Sequence, residues 1–122
     1  MTEKRKIRSF HDLVVWQKSV DFSVKIYEIT RNFPREERFG LISQIQRAAV
    51  SIPSNIAEGQ ARNTQKAFAN HLNIALGSAA EVETQLTIAL KIGYLRQDSH
   101  QELITNLTEI TKMLYGLLRS LR

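Results

Sequence analysis

The sequence predicts an all-α protein, an antiparallel up-down-up-down four-helix bundle. The 122 residues include only two prolines and five glycines, so the secondary-structure elements are expected to be long. Apolar residues recur at steps of three and four along most of the chain, and no stretch shows the sustained alternation of a strand. Four such segments with short connections are typical of one compact bundle.

The first nine residues are predicted to form a flexible basic tail. Four of its residues are cations, Lys4, Arg5, Lys6 and Arg8. The whole chain has 17 Lys and Arg against 12 Asp and Glu, a formal charge of +5. This surplus permits nucleic acid, an acidic protein or a membrane surface as partner. A short basic tail can also be simply solvated, so the charge alone does not choose a partner.

The first helix is predicted over 10–32. Ser9 is its expected N-cap, with Asp12 completing a variant of the capping box, and Phe33-Pro34 ends it. Two apolar stripes run along it, and a helix that is apolar on two faces needs a second neighbour or a partner chain. The first stripe consists of Leu13, Trp16, Val20, Val24 and Tyr27. The second consists of Val15, Phe22, Ile26 and Ile29, and we predict that it forms an oligomer interface.

The second helix is predicted over 37–58, with a kink at Pro53. Its apolar stripe keeps its phase across the proline, which favours one bent helix. The alternative is a break at Ser51 and a short new helix from Pro53. Proline removes a backbone donor, and Ser51 and Ser54 are expected to satisfy the carbonyl groups that it frees.

The third and fourth helices are predicted over 64–92 and 99–121, each with a heptad seam of alternating steps of four and three. Small residues around Gly77 in the third helix indicate close approach of another helix. Polar residues near the seams are interpreted as structural. We expect Arg47 to pair with a buried or half-buried acid among Glu58, Glu81 and Glu83, and Asn55 to help fix the second helix.

No catalytic, cofactor or metal site is expected. None of the histidines, His11, His71 and His100, follows a glutamate by three residues, as a di-iron bundle requires. The chain has no cysteine and no glycine-rich phosphate loop. No apolar run approaches the roughly 18 residues that span a bilayer, so no membrane partner is expected and a cytoplasmic setting is the default expectation.

Three stretches carry a family resemblance. They are FHDLVVWQKSVDFSVKIYEIT at 10–30, FPREERFGLISQIQRAAVSIPSNIAEGQAR at 33–62, and ALGSAAEVETQL at 75–86, with GYL at 93–95. The sequence resembles the four-helix bundle family encoded in intervening sequences of bacterial 23S ribosomal RNA genes. The resemblance implies ring-shaped pentamers. It also implies a distant relation to the accessory protein of diversity-generating retroelements, which binds nucleic acid.

The leading hypothesis is therefore a non-enzymatic homo-oligomer, a pentamer by the resemblance, that binds structured RNA. The expected phosphate contacts are Lys4, Arg5, Lys6, Arg8, Arg62 and Lys66, with Arg38 and Arg47 as weaker candidates. The alternative is a protein-interaction scaffold that uses a spare apolar face without nucleic acid. An enzyme with an unrecognised site is the third hypothesis.

Overall fold

The computed structural model describes residues 9–121, which form four α-helices and two 3₁₀ turns. The helices are α1 Val14–Thr30, α2 Leu41–Ala61, α3 Gln65–Lys91 and α4 Gln97–Ser120. The 3₁₀ turns are Phe10–Asp12 and Arg35–Glu37. No strand occurs within residues 9–121, and the predicted all-α four-helix architecture is confirmed.

The helices pack in a ring in chain order. The backbones of α1 and α2, α2 and α3, α3 and α4, and α4 and α1 approach each other closely, whereas those of the diagonal pairs do not, as in an antiparallel bundle. We call the end with the connections 31–40 and 92–96 the loop end. The opposite end, with residues 9–13 and the connection 62–64, is the tail end. The 27 residues of α3 separate the two ends by about 40 Å.

The chain enters the bundle through a capped 3₁₀ turn. The Ser9 hydroxyl accepts from the His11 N–H at 3.2 Å, and the Ser9 N–H donates to Asp12 Oδ2 at 3.3 Å. The expected capping pair therefore exists, but it caps the turn and not α1. Leu13 is extended, with φ −82° and ψ 120°, and its buried side chain joins the core. The helix predicted over 10–32 is thus divided at Leu13.

Helix α2 is continuous through Pro53, so the prediction of one helix and not two is confirmed. It begins at Leu41, where Glu37 Oε1 accepts the Leu41 N–H at 3.2 Å. The carbonyl that Pro53 frees belongs to Ala49, and the Ser23 hydroxyl of α1 shares its one proton between this oxygen, at 3.1 Å, and Ser19 O, at 2.9 Å. The prediction that Ser51 and Ser54 do this was wrong, because the donor comes from the neighbouring helix.

The small residues around Gly77 do pack against α2, since Ala75 and Ala79 are buried and the Ser78 hydroxyl lies 2.8 Å from Ser51 Oγ, but Gly77 itself has no part in this contact. A Cβ added at Gly77 would meet nothing within 4 Å, so Gly77 faces open space. A Cβ at Gly59 of α2 would lie 2.6 Å from the Cβ of His71 and 3.3 Å from the Cα of Phe68, both on α3. Glycine is required where α2 ends against α3, and not in the middle of α3.

Candidate functional site

The cations predicted to contact phosphate fall into two groups. Lys4, Arg5, Lys6 and Arg8 lie outside the described residues. Arg62 and Lys66 are both exposed at the tail end, on either side of the connection between α2 and α3. Arg62 Nη2 lies 3.0 Å from Glu58 Oε1, so part of its charge is compensated. No ion pair of Lys66 occurs within residues 9–121.

The expected pairing of Arg47 with a buried acid was wrong. Arg47, Glu58, Glu81 and Glu83 are all exposed, and Glu58 pairs with Arg62 one helical turn away. An exposed pair of this kind contributes little to stability. These charged residues point outward because small apolar residues, among them Ala48 and Ala79, already fill the interior beside them.

Asn55 does fix the packing of α2 on α3. Its Nδ2 donates to Ser51 O at 2.8 Å and lies 3.0 Å from Ser51 Oγ, while its Oδ1 lies 3.0 Å from His71 Nδ1. The Ser78 hydroxyl donates to Ser51 Oγ at 2.8 Å. Four polar side chains thus satisfy one another across a close helix contact, which is a structural role.

The predicted oligomer interface was wrong for most of its residues. Val15, Phe22 and Ile26 are buried inside the chain, and Ile29 is half-buried against the same core. The core face of α1 also carries three buried hydroxyl residues, Ser19, Ser23 and Thr30. Each donates to a carbonyl of the preceding turn of α1, which permits its burial. Because these polar residues interrupt the stripe of Val15, Phe22, Ile26 and Ile29, the sequence pattern did not identify it as the core face.

The other stripe of α1 forms an open apolar groove with α2. Val24 and Tyr27 are about half exposed, and Val50 of α2 is 38% exposed. The groove encloses about 350 Å³ and is also lined by Val20, Ser23 and Pro53, with the charged residues Glu28 and Arg31 beside them. We call this surface the α1–α2 groove. It is the main apolar surface that α1 presents to solvent.

The loop end carries a second cation cluster. From the sequence, only Arg38 of this cluster was predicted to contact phosphate, as a weaker candidate. Arg31, Arg35 and Arg38 line an open cavity of about 480 Å³ together with Thr30, Phe33, Ile42 and Gln46. Its sequence signal was the run of arginines around Phe33-Pro34. We call Arg31, Arg35, Arg38 and the adjacent Phe39 the arginine–phenylalanine cluster.

The described residues were also searched for metal-binding clusters and for membrane-spanning helices. In the part of the chain that the structure describes, no three His, Asp or Glu residues gather as a metal site would require. None of the described helices combines the length and the hydropathy needed to cross a bilayer.

The chain matches the family model described as 23S rRNA-intervening sequence protein over residues 11–116. This match covers all four helices except the last turn of α4. The chain belongs to this family. The resemblance seen in the sequence is therefore confirmed.

A solved structure agrees with this assignment. The crystal structure of a protein of unknown function from the S23 ribosomal protein family of Bacteroides thetaiotaomicron is 32% identical to the chain, with a TM-score of 0.81. The similarity covers 87% of this chain and 96% of that one. A comparison with curated proteins finds no significant match.

The part matched to the 23S rRNA-intervening sequence family bears on the candidate surfaces. It contains Arg62, Lys66 and the whole arginine–phenylalanine cluster, but it begins after the basic tail. The tail cations are therefore a feature of this chain outside the family match, whereas the other cations stand within the family fold.

Proposed function

We propose that this protein is a non-enzymatic, homo-oligomeric nucleic-acid-binding accessory protein whose target is structured RNA. The observation that carries the proposal is the pair of exposed cations at the tail end, where the described chain also begins. Arg62 and Lys66 are exposed there, and Ser9, which follows the four tail cations in the sequence, lies at the same end. Of the acids nearby, Asp12 accepts the Ser9 N–H and Glu58 holds Arg62.

These cations suit phosphate contacts. Such contacts position the protein on the nucleic acid and carry no base specificity. Assembly of several copies would multiply a modest charge of +5 per chain, which strengthens binding to a polyanion. The family name refers to ribosomal RNA genes, which agrees with RNA as the target class.

We further propose that self-association uses the α1–α2 groove, with a second copy of the chain as its occupant. The groove is apolar, and α3 exposes the apolar side chains Ile74 and Ile88 on another face of the bundle. Two complementary but different surfaces make a head-to-tail contact, which closes into a ring when the rotation permits.

The RNA proposal is tested by fluorescence-anisotropy titration of a labelled ribosomal stem-loop at several salt concentrations. Three variants are compared: glutamine at all four tail cations, the pair Arg62→Gln and Lys66→Gln, and the control pair Lys91→Gln and Lys112→Gln. Lys91 and Lys112 are exposed and have no ion pair within residues 9–121, so the control pair removes two charges elsewhere, as many as the Arg62 and Lys66 pair.

We expect saturable binding by the wild-type protein near physiological salt. The line of log affinity against log salt should become less steep by roughly 0.9 for each duplex phosphate contact that is lost. The first two variants should show this reduced salt dependence, and the control should keep the wild-type slope. Absence of binding, or equal losses in all three variants, would contradict the proposal.

Self-association is tested by sedimentation over a range of protein concentrations. Val24→Glu and Val50→Glu place a charge in the α1–α2 groove and should lower the mass of the particle. Gln44→Glu adds the same charge at another exposed position of α2 and should leave the mass unchanged. A monomeric wild-type protein, or an unchanged mass in both groove variants, would contradict this interface.

The same groove favours a second candidate function, a protein-interaction scaffold without nucleic acid. The two functions differ in the RNA titration. A protein that self-associates through the groove but binds no RNA at physiological salt would be assigned to the scaffold class.

A further inference from the structure

The arginine–phenylalanine cluster has the geometry of an anion site. Three arginines, Arg31, Arg35 and Arg38, line the open cavity at the loop end. Its lining also includes the apolar residues Phe33 and Ile42 and a hydrogen bond in which Gln46 Nε2 donates to Thr30 Oγ1 at 3.1 Å. Arginine presents several N–H donors in a planar fork that matches phosphate oxygens.

The charge of this cluster is not compensated by ion pairs within residues 9–121. Glu37 is close in sequence, but its carboxylate is already engaged. Oε2 accepts the Tyr94 hydroxyl at 2.9 Å, and Oε1 accepts the Leu41 N–H at 3.2 Å. A Cβ at Gly40 would lie 3.0 Å from Glu37 Oε1, so glycine leaves room for this arrangement. The segment 31–40 thus keeps a formal surplus of one positive charge, three Arg against Glu36 and Glu37, and neither acid forms an ion pair with the arginines within residues 9–121.

Phe39 presents an exposed aromatic ring beside the arginines. It is 88% exposed, more than any other large apolar residue within residues 9–121. The Arg38 guanidinium carbon lies 5.3 Å from the centre of its ring. The loop that presents Phe39 is anchored, because Phe33 is buried and its ring lies 5.6 Å from that of Tyr94. Backbone hydrogen bonds from Arg38 to Arg35 and from Gly40 to Glu37 fix the turn.

From this geometry we infer that the arginine–phenylalanine cluster binds an unpaired strand of RNA. The arginines take the phosphates, and one base stacks on Phe39, flanked by the Arg38 guanidinium. Positive charge combined with an aromatic platform is the usual means of holding single strands. The inference rests on the proposed function and adds a second surface to it, about 40 Å from the tail end.

An unpaired strand fits these features better than a duplex or an acidic peptide. In a duplex the base faces are covered by their neighbours, so Phe39 would have no stacking partner. An acidic peptide would use the arginines but would leave the exposed ring without a planar partner. A ligand that has both phosphates and accessible bases engages the arginines and the exposed ring of Phe39 together.

The test uses fluorescence anisotropy with a labelled unstructured oligouridylate and, in parallel, the ribosomal stem-loop. Phe39→Ala removes the platform, and the pair Arg35→Gln and Arg38→Gln removes two charges. Tyr115→Ala is the aromatic control, since Tyr115 is about half exposed on α4. The pair Lys91→Gln and Lys112→Gln is the charge control. All these positions are exposed, and thermal melting verifies that each variant folds.

We expect Phe39→Ala to weaken binding of the oligouridylate by about fivefold or more. The arginine pair should weaken it further, and both controls should stay near wild type. Phe39→Trp should retain binding and lose tryptophan fluorescence when a base stacks on it. Trp16 is the only native tryptophan, so the wild-type protein supplies the background signal.

Three results would overturn the inference. In the first, the oligouridylate is bound, but only the tail-end variants weaken it, and the proposed function then stands alone. In the second, polyglutamate displaces the oligouridylate as well as unlabelled RNA does, which would assign the cluster to acidic polypeptides. In the third, neither RNA is bound, and the proposed function fails together with this inference.

Discussion

The hydroxyl of Ser23 on α1 lies 3.1 Å from the carbonyl oxygen of Ala49 on α2. Ala49 is four residues before Pro53, which has no N–H to donate to it. Ala49 is fully buried, so water does not supply the missing donor. One helix thus completes the hydrogen bonding of its neighbour, and the proline within α2 depends on the packing of α1.

Ser23→Ala is therefore expected to destabilise the protein by about 1–3 kcal/mol, because it leaves a buried acceptor unpaired. In a Pro53→Ala background the restored N–H at position 53 can reach the Ala49 carbonyl, so the same change should cost less. Urea unfolding of the wild type, both single variants and the double variant measures this coupling. Equal costs of Ser23→Ala in the two backgrounds would refute the relationship.

Gly59 and Gly77 give opposite expectations for one substitution. Gly59→Ala places a Cβ 2.6 Å from the Cβ of His71 and should destabilise by about 1–3 kcal/mol through overpacking. Gly77→Ala meets nothing within 4 Å in the middle of α3 and should stabilise by about 0.5–1 kcal/mol. Melting temperatures of the two variants, measured side by side, check both signs. A stabilising Gly59→Ala would disprove the close approach of α2 and α3.

The heptad seams of α3 and α4 were predictable because a sustained period of four and three has one physical meaning, a buried stripe. The buried seam residues of α3 are Leu72, Ala75, Ala79, Val82, Leu86 and Ala89, and those of α4 are Leu103, Leu107, Ile110 and Leu114. The core face of α1 was harder to predict. Buried serine and threonine side chains that bond to their own backbone cannot be told from solvent-exposed ones by sequence alone, so its two stripes were assigned to the wrong sides.

The loop end shows a second reason for incomplete prediction. The spacing of Arg31, Arg35 and Arg38 is visible in the sequence. Whether these arginines are free to bind a ligand depends on the direction of the Glu37 carboxylate. That direction is set by Tyr94, which is 57 residues away in the chain. A contact of this separation has no local sequence pattern. The arginines therefore looked like ordinary exposed charges beside balancing acids.

Ile26 and Val24, two residues apart on α1, test the corrected orientation of that helix. Ile26 is fully buried, and Ile26→Ala should destabilise by about 2–5 kcal/mol. Val24 is 52% exposed, and Val24→Ala should change stability by no more than about 0.5 kcal/mol in dilute protein. Chemical denaturation of both variants gives the comparison. If Val24→Ala were the more harmful change, α1 would have the orientation first predicted from its stripes.

The Tyr94–Glu37 contact predicts a loss of stability at alkaline pH. The hydrogen bond to the Glu37 carboxylate, together with desolvation and the charges of Glu37 and Glu36, raises the pKa of Tyr94 above its ordinary value of 10.0. The folded state therefore holds the phenol proton more tightly than the unfolded state. The resulting stability is fully present below pH 10, and it is lost as the pH rises through the higher folded-state value.

Tyr94→Phe keeps the ring beside Phe33 and removes the hydroxyl. Between about pH 8 and 11 the unfolding free energy of the wild type should fall more steeply than that of Tyr94→Phe, because only the wild type has this linked proton. Tyr115→Phe, at an exposed tyrosine of α4, serves as the control and should follow the wild-type curve. Parallel curves for the wild type and Tyr94→Phe would show that the hydroxyl does not hold the loop end through Glu37.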